Sequence, residues 1–176
     1  MPDQQKGVLY IFYDDNQNLY ETDRSLPPDM DTYTLTTNLR NTQQIHRTFL
    51  PFYRGREAPR AKGPEGRPTD VYFYKGEAEL HKRVGGVLQH LVGNEGVPID
   101  QIVILTQHAR DKCPLWRRET VANWRLSATQ PIGPGEVYCT TVHQYKGLES
   151  PVVVLAEVTP TKKFPLASSF TRVVFP

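Results

Sequence analysis

Thr140-Thr141-Val142-His143-Gln144-Tyr145-Lys146-Gly147-Leu148-Glu149-Ser150-Pro151-Val152-Val153-Val154-Leu155 is the stretch whose reading decides the fold. It leaves an apolar, β-prone run (Val137 to Val142), crosses a loop dense in hydroxyl, imidazole, ammonium and carboxylate groups, and re-enters a second apolar run (Val152 to Val158). So polar a segment between two core strands is unusual for a connector alone, because rigid scaffolds carry their chemistry on such loops. Upstream, Ile102-Val103-Ile104-Leu105 is wholly apolar, the pattern of a strand buried on both faces. From Glu77 to about Val92, Leu80, Val84, Val87, Leu88 and Leu91 recur at three- and four-residue steps, which predicts an amphipathic helix closed by the Gly93 to Gly96 turn. Helices alternating with apolar strands predict an α/β domain with a mainly parallel sheet flanked by helices, its ligands at the carboxyl ends of the strands.

Further out the pattern continues. Val71-Tyr72-Phe73-Tyr74 reads as a strand, Leu115 to Trp124 as a second helix, and Gln130 to Gly135 as a Pro/Gly loop. Tyr53 to Thr69, with Gly55, Pro59, Gly63, Pro64, Gly66 and Pro68, reads as a longer loop. Asn41 or Thr42 offers an N-cap for a helix through Ile45, Phe49 and Phe52. Tyr33-Thr34-Leu35 gives a short strand after a linker broken at Leu26-Pro27-Pro28. Val8 to Tyr13 gives a buried strand stopped by Asp14-Asp15-Asn16.

The composition sets bounds on the function. At 176 residues the chain makes one domain or slightly more, with a core large enough to need neither disulfide nor metal. With 21 Lys plus Arg against 19 Asp plus Glu, bulk charge does not announce a nucleic-acid binder, so such a role must rest on local patches. Cys113 and Cys139 lack zinc or disulfide spacing, which with the absence of a long apolar run or a secretory signal leads us to expect a cytoplasmic protein with no membrane contact. There is no GxxxxGK[ST], GxGxxG, HExxH or GxSxG, so the chain is not expected to cradle a triphosphate alone.

Three segments nevertheless carry chemistry. Gln17 follows the first strand directly, where an amide can hold a phosphate oxygen or a water, although a turn formed by the Asp and Asn residues is the plainer reading. Arg40, in Thr37-Asn38-Leu39-Arg40-Asn41-Thr42, precedes a helix start and has the fork that grips phosphate, although an exposed turn arginine is the simpler reading. The Thr140 to Glu149 loop is the third, with His143 open to a purely structural reading.

Together "IFYDDNQNLYE", "LTTNLRNTQQI", "IVILTQ" and "TTVHQYKGLESPVVVL" resemble, in order, the motifs of UvrD/Rep-like superfamily 1 DNA helicases over roughly residues 8 to 158. The resemblance implies a RecA-like (P-loop NTPase-type) sheet without its own P-loop. It divides the chain into 1–28, the last strand of a first motor domain and a linker, and 29–176, the second motor domain. It implies that Gln17 senses the terminal phosphate of ATP, that Arg40 approaches that phosphate, and that Arg172, in Ser169-Phe170-Thr171-Arg172-Val173, is a second arginine finger. Leu39 stands where the family places an adenine-stacking aromatic. Glu149 would lie near the ribose, Thr141 and His143 toward the DNA backbone, with Lys146 and Gly147 shaping the loop. ATP and Mg²⁺ are expected only in a site shared with the first domain, and single-stranded DNA and that domain are the expected partners. Only about thirty residues separate Leu105 from Val137, so the helical accessory subdomain of large relatives is expected to be missing.

For DNA, Arg54, Arg56, Arg60, Lys62 and Arg67, or Arg110, Lys112, Arg117, Arg118 and Arg125, offer basic stretches, and Tyr145 and Trp124 offer stacking surfaces. Solvated surface and core packing are the plainer readings of these residues. Two competing functions remain: a helicase-like module that only binds DNA or protein, and an unrelated α/β enzyme using His143 and Glu149 as acid and base.

Overall fold

A computed structural model of the chain describes residues 8–12, 30–53, 57–158 and 170–174. At its centre is β4 (Ile102–Thr106), every residue of which is buried. It pairs in parallel with β7 (Glu136–Thr141) on one side and β8 (Val152–Val158) on the other. β6 (Trp124–Ser127) extends the parallel block beside β7, and β5 (Thr120–Val121) turns back antiparallel at that edge. At the opposite edge β9 (Phe170–Val174) and β3 (Asp70–Phe73) run antiparallel, giving the order β3-β9-β8-β4-β7-β6-β5. The α/β class with parallel central strands holds, because β4 has both faces to cover and only crossover connections can cover them.

Side-chain alternation divides the core into two layers. Ile102 and Ile104 point to the face covered by α2 (Gly76–Gln89), with Leu80, Val84, Val87 and Leu88. Val103 and Leu105 point to the other face, with Tyr138 and Tyr145. α2 passes into a π-helical turn at His90–Asn94 that buries Leu91, so the apolar stripe ends where the sequence places it. Among the described residues no helix is long and apolar enough to cross a membrane.

The Thr42 cap holds: its Oγ1 accepts from Ile45 N–H at 3.3 Å and opens α1 (Gln43–Phe49), which tightens into a 3₁₀ turn through Phe52. The Tyr53 to Thr69 loop contains one short strand, β2 (Arg60–Ala61), parallel to β1 (Thr37–Asn38).

Three expectations fail. Tyr33 and Leu35 are exposed and outside any strand. The pairing sits at Thr37–Asn38, where Arg60 N–H donates to the Thr36 carbonyl and Lys62 N–H to that of Asn38. Val8 to Phe12 is not a buried strand either. Its side chains are exposed, Phe12 by 87%, because no described strand lies beside it to complete a ladder; Tyr13, the following polar turn and the Leu26-Pro27-Pro28 linker fall outside the described residues. The helix from Leu115 to Trp124 is instead a 3₁₀ turn, Pro114–Arg117, followed by the β5–β6 hairpin. Thr120 and Val121 are β-branched, and Ala122 adopts φ 52, which no helix accommodates. Leu115, Trp116, Val121 and Leu126 still reach one core, so the apolar residues are used, but in extended and turn geometry. No accessory subdomain lies between β4 and β7; that interval is the turn and the hairpin.

Candidate functional site

Because β7 and β8 flank β4 in parallel, residues 142–151 must return the chain from the carboxyl end of β7 to the amino end of β8 across the face of β4. A helix usually makes that crossing. Here a tight turn does so: Tyr145 N–H donates to the Thr141 carbonyl at 3.0 Å, and Leu148 N–H to that of Tyr145 at 3.0 Å. Thr141 Oγ1 caps the turn by accepting from Gln144 N–H at 3.2 Å, while Thr140 Oγ1 donates to Gln144 Oε1 at 2.8 Å. Tyr145 seals the crossing against the sheet, buried with Val103, Leu105 and Tyr138, the two tyrosine rings 6.2 Å apart. Burial pushes its phenol upward, and its contact with Ser150 offsets part of that. Ser150 Oγ also donates to the Gln101 carbonyl at 2.8 Å, which fastens the end of the crossover beside the start of β4.

The site residues are thereby distributed along one diagonal. Thr141 lies at the carboxyl edge and the exposed His143 follows it; Lys146, also exposed, lies mid-crossing. Gly147 takes φ +86, the left-handed region open to glycine, and turns the chain toward Leu148 and Glu149 at the amino edge. The five residues of β4 set the two ends roughly 16 Å apart at about 3.3 Å per residue. Glu149 thus lies away from the carboxyl edge where ligands were expected.

Arg40 reaches the same edge from a different element. Asn38 Oδ1 accepts from the backbone N–H groups of Arg40 and Asn41, both at 3.2 Å, which shapes the turn between β1 and α1. The 63–66 loop closes over the helix start: Gln43 N–H donates to the Pro64 carbonyl at 2.8 Å and Gln44 N–H to that of Glu65 at 3.2 Å. Gly63 packs directly on the Asn41 carbonyl, where a Cβ has no room. So held, Arg40 forms an ion pair with Glu149; the two side chains are 77% and 66% exposed. An exposed pair contributes about 0–1 kcal/mol, so it does not hold the fold together and yields readily to a ligand. Leu39, beside it, presents an exposed apolar face.

Compared with protein-family models, with curated proteins and with solved structures, the chain matches none. Its chemistry must be read from the residues themselves. A guanidinium fork beside a carboxylate, both open to solvent, suits a ligand with phosphate for the first and hydroxyl for the second.

Other sequence candidates fall elsewhere. Gln17 lies outside the described residues, as do Arg54 and Arg56. Arg172 lies mid-strand in β9, opposite Val71 of β3 and Leu155 of β8. The later basic stretch is largely engaged within the fold: Arg117 pairs with Glu77 at 2.7 Å, Arg125 with Glu136, and Arg110 stacks on Trp116 at 4.6 Å. Arg67 pairs with Glu95 at 2.8 Å. Tyr145 is core and therefore not a base-stacking surface, and Trp124 packs against the α2 layer. Neither of the two cavities beside α2 is bordered by His143 or Glu149.

Proposed function

We propose that the chain is the second, RecA-like motor domain of a UvrD/Rep-like DNA helicase, working at an ATP site completed by a first motor domain. The observation that supports this reading is the meeting of Arg40 and Glu149, from distant parts of the chain, on one exposed edge. In the proposed site Arg40 grips the terminal phosphate and Glu149 accepts a ribose hydroxyl, each released from the other when nucleotide arrives. Leu39 offers the base an apolar face. Gln17 and Arg172 are carried as further phosphate-facing groups on the sequence resemblance alone. On the sequence resemblance, Mg²⁺ is held by carboxylates of the first motor domain. Thr141 and His143, at the far end of the crossover, face the DNA backbone, and Lys146 and Gly147 connect the two ends. The rigid turn fastened by Tyr145 and Ser150 transmits displacement at one end to the other.

Replacing Arg40 with alanine tests the assignment. In a mixture with a separately produced first motor domain, Arg40→Ala is expected to lower single-strand-stimulated ATP turnover by about three orders of magnitude, the usual effect of losing an arginine finger. Affinity for single-stranded DNA should remain within about twofold, since surface changes away from a contact are nearly neutral. Equal loss of both would remove Arg40 from the nucleotide side. The competing reading, a module that only binds DNA or protein, draws support from the exposed apolar side chains of Val8, Leu9, Phe12, Tyr33 and Leu35. It is favoured if the unaltered chain binds the first domain or DNA without any turnover.

A further inference from the structure

A second polar cluster, distinct from the Arg40–Glu149 edge, lies at the carboxyl ends of β4 and β8. A register shift between Leu155 and Val158, with Glu157 at φ 61, turns the Glu157 side chain into the core, where it is 2% exposed. Its Oε1 accepts twice, from Cys113 Sγ at 2.9 Å and from Leu115 N–H at 2.8 Å. Burial and the neighbouring carboxylate push the Cys113 thiol up to about 12, so it stays a protonated donor and Oε1 is committed. Oε2 has no hydrogen-bond partner; His108 Nδ1, at 3.9 Å, is beyond reach. A buried carboxylate oxygen without a donor is costly and asks for one.

The carboxylate borders a cavity of about 510 Å³, within the range of small-molecule sites. Its other walls mix charge and apolar surface: Lys112, Arg117 and His108 stand against Glu77, beside Tyr74, Leu80 and Pro114. Lys112 is exposed and in no ion pair among the described residues. Arg117 is held on Glu77, and the half-exposed His108 stands over the carboxylate. Gly76, the first residue of the 14-residue α2, also lines it, and no side chain caps that helix: Glu79 reaches back only to Lys75 N–H. Lys112 and the positive end of the helix dipole, the latter shared with Glu77 and Glu79 of the first turn, favour an anion here, while Glu157 requires a donor.

We infer that this cavity binds a phosphomonoester carried on a hydroxylated sugar, with phosphate toward Lys112 and the first turn of α2 and a sugar hydroxyl donating to Glu157 Oε2. Movement of the exposed His108 ring opens the path to that oxygen. A carboxylate at the carboxyl edge of a parallel sheet holds ribose in this way in dinucleotide folds. Such a group exists both on free sugar phosphates and at the 5′-phosphorylated end of an RNA strand, whose first ribose keeps its 2′-hydroxyl.

Calorimetric titration of the full chain with ribose 5-phosphate, and separately with a 5′-phosphorylated oligoribonucleotide and its unphosphorylated twin, tests the site. Saturable binding is expected, weakened roughly tenfold or more by Lys112→Ala and by Glu157→Gln. Binding of the sugar phosphate identifies a free ligand, and preference for the phosphorylated strand over its twin identifies a strand end; either supports the site. No saturable binding of either, equal binding of the two strands without binding of the sugar phosphate, or affinity unchanged by Lys112→Ala overturns it. Should Glu157→Gln fail to fold by circular dichroism, Lys112→Ala, on the surface, decides alone. Arg40→Ala should leave this binding intact, which separates failure here from failure of the motor reading.

Discussion

Tyr145 carries the crossover. Its ring fills the space over β4 that a helix would otherwise cover, so Tyr145→Ala is expected to cost about 3–5 kcal/mol in urea denaturation, the range for large aromatic truncations. Tyr145→Phe, which keeps the ring and loses one hydrogen bond, should cost about 1 kcal/mol. Similar losses from the two would show that the ring is not the anchor. Cys113 gives a pH dependence with a definite sign. Its folded value, near 12, lies above the roughly 8.5 of an unfolded thiol, so the native state keeps a proton that the unfolded chain releases. The resulting stability is fully present below about pH 8.5 and is lost progressively as pH rises toward 12. Cys139, more deeply buried, shifts in the same direction. Urea midpoints measured from pH 8 to pH 10.5 should therefore fall for the unaltered chain and fall less steeply for Cys113→Ala; identical slopes would contradict the shift. Neither residue was legible in its role. Core or surface packing is the plainer sequence reading of Tyr145, but its place over β4 is set by the crossover, and Cys113 gains its partner only because β8 bulges at Glu157.

Elements differ in how openly their sequences announce them. β4, β7, β8 and α2 were legible because each buries a continuous run or a clean stripe, which burial then enforces. The β5–β6 hairpin was not, because Leu115, Trp116, Val121 and Leu126, at steps of one, five and five residues, follow neither a helical nor a strand period. The deciding feature, the positive φ at Ala122, leaves no mark in composition. α1 was legible through its cap, but its second support was not: the 63–66 loop supplies carbonyls to the first helical N–H groups from twenty residues away. This predicts an ordering of losses. Thr42→Ala should cost about 1 kcal/mol, as an ordinary N-cap does. Gly63→Ala should cost more, because its Cβ meets the rigid Asn41 backbone and must push the loop off the helix start. Thermal melts of the two variants check it, and a milder effect at Gly63 would mean that the loop does not brace α1.

At the scale of the whole molecule, two polar clusters lie toward opposite ends of the central strands. Arg40 and Glu149 meet at the amino edge of β4, while Thr141 and the Glu157 cavity lie toward the carboxyl edge. The polar loop between β7 and β8 was singled out in sequence because its residues crowd between core strands. That it spans the face of the sheet, and so divides those residues between two edges, follows only from β7 and β8 lying on opposite sides of β4. Arg40 and Glu149 come from distant parts of the chain, and no local pattern reveals their meeting. Single-strand-stimulated ATP turnover, measured on this chain mixed with a first motor domain bearing a phosphate loop, tests the proposed motor most directly. The account predicts turnover in the mixture well above either component alone, abolished by Arg40→Ala and strongly reduced by Glu149→Ala. Turnover that never exceeds that of the first domain, or that persists unchanged in both variants, would contradict it.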